Sequence, residues 1–210
     1  MNRPLTAPII LNRLKSRYSS PETALNWENP WQLLVATVLS AQSTDKQVNR
    51  ITPLFFKKWP AAHDLARASL EEVEDAVRSA GFFRTKSRNL LATSRIIVSR
   101  FNGRVPDTMK DLLVLPGVAR KTANIILFNA FGKNEGIAVD THVKRISFRL
   151  GLTEATNPDS VEKDLIKLFP RKEWGNINHM LVFFGREVCK ARKPLCHECE
   201  LEDICPRTGV

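Results

Sequence analysis

The 210-residue chain reads as an all-α protein. Three observations predict this fold class. Apolar residues recur at helical spacing in one segment after another, helix caps mark the ends of those segments, and strand-like alternation with hairpin turns is lacking.

The elements follow in order. Asn29 reads as an N-cap and Pro30 as the first helical residue of NPWQLLVATVLSAQ, whose Trp31, Leu34, Val35 and Val38 share a stripe. Ser69 and Glu72 form a capping box at the start of SLEEVEDAV. A longer helix is predicted over 85–101, ended by Asn102 and Gly103. Two short helices follow, one over 109–115 and one over 120–131, the second stopped by Gly132. Asp140 caps a helix carrying Val143, Ile146 and Leu150 and stopped by Gly151, and Val161, Leu165 and Leu168 lie on another. There is no internal repeat, low-complexity linker, phosphate loop or dinucleotide fingerprint, so composition alone draws no domain boundary.

An apolar fraction of 43% and a charged fraction of 26% are those of an ordinary globular protein. No apolar run approaches the roughly 20 residues that span a bilayer, and the N-terminus lacks the apolar core of a signal peptide. The expectation is a soluble intracellular protein with no membrane partner. Lys and Arg number 32 against 22 acids, a formal charge of +10 that favours a polyanion. Between 84 and 104 stand Arg84, Lys86, Arg88, Arg95, Arg100 and Arg104 with no acid, a pattern better matched to a phosphate backbone than to a solvated face.

All four cysteines lie in the last 22 residues, spaced Cys189-x6-Cys196-x2-Cys199-x5-Cys205. A disulfide scaffold would spread them through a short secreted chain, so the clustering points to a metal. Structural zinc commonly uses two Cys-x-x-Cys knuckles and only one is present. Three short unequal loops suit a [4Fe–4S] cluster held by four thiolates in a structural role, with zinc as the alternative. The first loop is basic, with Lys190, Arg192 and Lys193, and the stretch after Cys199 is acidic, which would set the basic loop against phosphate.

LPGVARKTANIILFNAF reads as a helix, a tight turn and a second helix, a helix-hairpin-helix. The Gly117 backbone and the free N–H groups of the second helix can approach a phosphate closely. Such a clamp binds DNA without reading bases. Lys121 falls in the first turn of that helix. A lysine amine ordinarily titrates near about 10.4, and a helix N-terminus, the neighbouring Arg120 and partial burial all act to lower it. Lys121 is then either a nucleophile for a sugar carbon or a phosphate partner, and the residues alone leave both open. Asp140 both caps its helix and offers the fixed carboxylate that a cationic sugar transition state requires.

LPGVARKTA, AVDTHV and the cysteine spacing, together with LLVATVLSAQSTD and GFFRTKS, resemble the endonuclease III family over nearly the whole chain. These are bifunctional DNA glycosylases and abasic-site lyases of the helix-hairpin-helix superfamily. The resemblance implies two helical domains flanking a DNA-binding cleft: a six-helix barrel over 24–134, and a discontinuous domain of 1–23 and 135–210 that carries the [4Fe–4S] cluster. It implies Lys121 as nucleophile and Asp140 as catalytic carboxylate, with Cys189, Cys196, Cys199 and Cys205 as cluster ligands. Gln42 matches the residue that fills the gap left by a flipped nucleotide, and Phe82 an apolar wedge in the base stack. Asp45 and His142 match positions lining the base pocket, while Gly117, Ala119, Lys190, Arg192 and Lys193 contact DNA.

The implied activity is base-excision removal of oxidised pyrimidines from duplex DNA, followed by Schiff-base formation and β-elimination. Its partner is double-stranded DNA bearing damaged bases or abasic sites. The resemblance further implies a monomer, and a prokaryotic, cytoplasmic, nucleoid-associated location. Ala119 departs from the family pattern by replacing the second hairpin glycine, and Phe83 by standing where tyrosine is common. The alternatives are a monofunctional mismatch glycosylase of the same superfamily and a non-catalytic, cluster-bearing DNA-binding protein. The former generally lacks the lysine and carries an extra C-terminal domain, whereas this sequence ends five residues after Cys205.

Overall fold

A computed structural model of the protein describes residues 3–210. Its helices are α1 (Arg3–Arg17), α2 (Pro30–Ser40), α3 (Asp45–Lys58), α4 (Ala62–Ala66), α5 (Leu70–Val77), α6 (Phe83–Phe101), α7 (Met109–Leu112), α8 (Arg120–Phe131), α9 (Thr141–Arg149), α10 (Pro158–Leu168) and α11 (Trp174–Glu187). Three single 3-10 turns follow α10 or lie among the cysteines, and no strand occurs among the described residues. No described helix is long and apolar enough to cross a membrane.

The predicted caps form. The Asn29 side chain accepts from the Gln32 amide at 3.0 Å. Ser69 Oγ accepts from the Glu72 amide while Glu72 Oε2 accepts from the Ser69 amide at 3.0 Å. Asn102 and Gly132 take left-handed conformations at the ends of α6 and α8. Two boundaries differ from expectation. Helix α7 stops at Leu112 rather than 115, because Leu115 precedes Pro116 and is disfavoured from the helical region by the proline ring. Helix α6 starts at Phe83, where the left-handed Phe82 turns the chain and its carbonyl accepts from the Lys86 amide at 3.1 Å.

Backbone proximity divides the chain into two compact units, Thr23–Lys133, and Met1–Glu22 with Asn134–Val210. In the first unit, α2 is buried without interruption from Leu33 to Leu39 and packs on α3, α6 and α8. A helix apolar on every side must lie inside others, which makes α2 the axis of this unit. Phe55, Leu65, Leu90 and Leu112 complete the core, each burial contributing about 1.5–3 kcal/mol. In the second unit, α11 packs on α1 and α9, and α10 packs on the same two helices. Gly185 permits the α9–α11 approach, since a Cβ there would fall 2.7 Å from His142 Nδ1 and 2.8 Å from Ile146.

Candidate active site and cysteine pocket

In the first unit, α7 and α8 flank the turn Pro116–Gly117–Val118. Gly117 has φ +81°, and a Cβ there would meet Asn89 Nδ2 at 2.9 Å, so both conformation and space require glycine. The turn is fastened to α6 by Thr93 Oγ1, which donates to the Pro116 carbonyl at 2.9 Å. Ala119 is the N-cap of α8 with φ −89°, a conformation any residue adopts, and no side chain caps the helix. A helix N-terminus without a side-chain cap favours a ligand carrying negative charge.

Lys121 is the second residue of α8. Ala123, Ile126 and Leu127 bury the opposite face, which turns Lys121 outward. The partial burial expected for this lysine is absent: the side chain is exposed, because the α8 stripe that enters the core begins two residues later.

Two loops of the same unit carry other predicted residues. Gln42 follows α2 with φ +52°, and Phe82 precedes α6 with φ +57°; both are exposed, Phe82 by 65%. Asp45, half-buried, opens α3 beside the capping Thr44. Phe83 packs on the core, with Arg84 5.5 Å from its ring centre. Of the six cations between 84 and 104, Lys86 does not face solvent: it is 4% exposed. A phosphate cannot reach it, so Lys86 drops out of the basic run that the sequence matched to a phosphate backbone.

In the second unit, Asp140 is the N-cap of α9. Its Oδ1 accepts from the His142 and Val143 amides, each at 2.8 Å. Both bonds use one oxygen, so Oδ2 takes no part in the cap. His142, half-buried in the first turn of α9, has Nδ1 3.2 Å from Arg145 Nη2.

The four cysteines line one cavity with Leu150, Phe184 and Leu195. Among the described residues, no three or more His, Cys, Asp or Glu side chains converge closely enough to ligate a single metal ion. One tetrahedral zinc at about 2.3 Å from each sulfur would hold the thiolates about 3.8 Å apart. Four thiolates around one cavity suit a cuboidal iron–sulfur body. Burial pushes the Cys199 thiol up to about 11 and raises Cys205 as well, so a metal held by these sulfurs would have to displace their protons.

Sequence reasoning missed the residues that shape this pocket. Arg149 donates to the Lys190 and Ala191 carbonyls at 2.7 and 3.0 Å, and Arg145 to the Cys189 carbonyl at 3.0 Å. They fold the first cysteine loop, leaving Lys190, Arg192 and Lys193 exposed. Arg13 and Arg17 of α1 pair with Asp203 and Glu200, and Arg207 pairs with Glu202, so each of the three acids after Cys199 has a cation. The available signal was arginine at four-residue spacing, Arg145 and Arg149, on the face of α9 that also carries Ile146.

A glycine hairpin followed by a helix with a lysine in its first turn, in one unit, and four clustered thiols, in the other, mark a helix-hairpin-helix DNA-repair enzyme. The family model of the HhH-GPD superfamily base excision DNA repair proteins matches residues 35–171, and that of the iron–sulfur binding domain of endonuclease III matches 189–205. The chain is 51% identical over 197 residues to endonuclease III of Synechocystis sp., covering 94% of this chain and 90% of that one. It is 40% identical to endonuclease III of Escherichia coli, covering 93% and 92%. A trapped endonuclease III–DNA covalent intermediate superposes with a TM-score of 0.94 at 40% identity, covering 99% of this chain and 98% of that one.

The chain belongs to the endonuclease III family. It is a base excision DNA glycosylase with abasic-site lyase activity, and its cofactor is a [4Fe–4S] cluster.

Proposed function

We propose that the chain removes oxidised pyrimidines from duplex DNA, with Lys121 as nucleophile, Asp140 as carboxylate and Cys189, Cys196, Cys199 and Cys205 as cluster ligands. The observation that carries this reading is Lys121 in the first turn of an uncapped helix that opens beside a glycine hairpin. A damaged base that has lost aromaticity stacks weakly and is cheaper to extrude. Lys121 Nζ attacks C1′ of the extruded nucleotide as the glycosidic bond breaks, its electron pair leaving with the base. Asp140 takes the amine proton and stabilises positive charge on the sugar. Ring opening gives a C1′=N Schiff base, loss of a C2′ proton follows, and elimination of the 3′ oxygen cuts the strand.

Gln42 and Phe82 enter the duplex around the extruded nucleotide, and Asp45 and His142 contact the base. The Gly117 and Ala119 backbone holds a phosphate, and Lys190, Arg192 and Lys193 add further phosphate contacts. Residues 24–134 act as the barrel domain and 1–23 with 135–210 as the cluster domain. The protein works as a monomer in a prokaryotic cytoplasm, associated with the nucleoid. Borohydride trapping on abasic-site duplex tests the central assignment: the parent forms a covalent adduct and Lys121→Ala does not. Adduct at parental yield in the variant removes Lys121 as nucleophile.

A further inference from the structure

Gln42 and Phe82 stand in left-handed conformations that non-glycine residues seldom adopt, and both side chains are exposed. Such a conformation persists only where surrounding contacts impose it. Lys86 supplies them. Its ammonium donates to the Leu39 carbonyl at 2.7 Å and to Ser43 Oγ at 2.9 Å. The Leu39 carbonyl lies in the last turn of α2, where partial negative charge accumulates and a cation is stabilised. Ser43 Oγ also accepts from the Gly81 amide at 3.2 Å. Gly81 in turn lies so close to the loop after α2 that a Cβ would sit 2.8 Å from the Gln42 carbonyl. A third tie runs from Gln47 Nε2 in the first turn of α3 to Ser79 Oγ, ahead of Gly81, at 2.7 Å.

We propose that Lys86 is a positioning residue that locks the Gln42 loop to the Phe82 loop, so that the two side chains enter the duplex as one preformed wedge. This rests on the insertion roles assigned to Gln42 and Phe82 above. No described carboxylate pairs with the ammonium, and burial pulls its proton affinity down. An ion pair would hold a charge, whereas two neutral acceptors from one loop region hold a shape. Arginine, being planar and longer, cannot reproduce both bonds in this buried position.

The test compares duplex DNA, where the wedge must open the stack, with single-stranded abasic DNA, where no stack opposes the reaction. Lys86→Met and Ser43→Ala are measured by single-turnover excision on a duplex containing thymine glycol and by borohydride trapping on the single strand. A 2-aminopurine opposite the lesion reports unstacking. The expected result is a fall of about tenfold in the ratio of duplex excision to single-strand trapping for Lys86→Met, and about threefold for Ser43→Ala, with a smaller fluorescence rise in both. An unchanged ratio in both variants overturns the proposal. Ser43→Ala keeps the buried lysine bonded to Leu39, so it remains informative if Lys86→Met does not fold. Phe82→Ala and Gln42→Ala separate the two readings: parental duplex excision in both removes the insertion roles, whatever Lys86 does.

Discussion

Replacing Asp140 by asparagine, and separately by alanine, distinguishes its two duties. The cap consists of two hydrogen bonds of 2.8 Å to a single oxygen, Oδ1. Alanine removes both and is expected to cost about 1 kcal/mol, within the range of about 0.5–2 kcal/mol for a lost N-cap. For a chain of this size that lowers Tm by about 2–4 °C. Asparagine keeps an oxygen at the Oδ1 position and forfeits only the charge–dipole attraction, about 0.3–1 kcal/mol. Its effect on chemistry is expected to be far larger, because in the proposed mechanism the carboxylate charge itself stabilises the cationic sugar. Loss of such a preorganised group slows the chemical step by about 10²–10³. The assay pairs thermal unfolding with single-turnover excision at saturating enzyme. Asparagine should retain most of the stability and lose most of the rate. Excision by the asparagine variant at the parental rate would refute the reasoning, leaving Asp140 as a cap alone.

Gly117→Ala should lower both stability and DNA affinity, since φ +81° and the 2.9 Å approach to Asn89 strain the turn together; unfolding and binding at one fixed salt concentration measure this, and the double variant with Asn89→Gly should recover part of it. Lys190→Ala should reduce the slope of log affinity against log salt by about 0.9 on any duplex, whatever its sequence, as the loss of one phosphate contact predicts. Burial lowers His179 to about 4, so the folded protein binds its proton less readily than the unfolded chain does. Its contribution is complete above the ordinary value of about 6.5 and is lost as pH falls toward about 4, a span on the order of 3 kcal/mol. His179→Gln should flatten the stability profile across that window, measured by denaturant unfolding at several pH values.

Much of the structure was legible locally. Asn29, Ser69 with Glu72, and Asp140 act within three residues of their partners, so their roles as caps follow from neighbours in the chain. The α8 boundaries, the hairpin glycine and the cysteine spacing are short-range in the same sense. Helices α1 and α3 were not predicted; each carries an internal proline, Pro8 and Pro53, which interrupts a helical pattern, although Thr44 caps α3 through the Gln47 amide. Helix α11 carries apolar residues over much of its surface and two glycines, which blur its period.

Tertiary structure alone decided the rest. Lys86 reads as one more cation in a basic run, yet its burial depends on a carbonyl 47 residues away. Arg149 reaches carbonyls more than 40 residues further along the chain. The left-handed backbone at Gln42 and Phe82 leaves no mark in residue type, because glycine would be the expected occupant. Caps, turns and ligand spacing are settled by bonds that close over a few residues, and sequence records these directly. Which cation is buried, and which loop is strained into place, depends on contacts between remote segments and exists only once the core has formed.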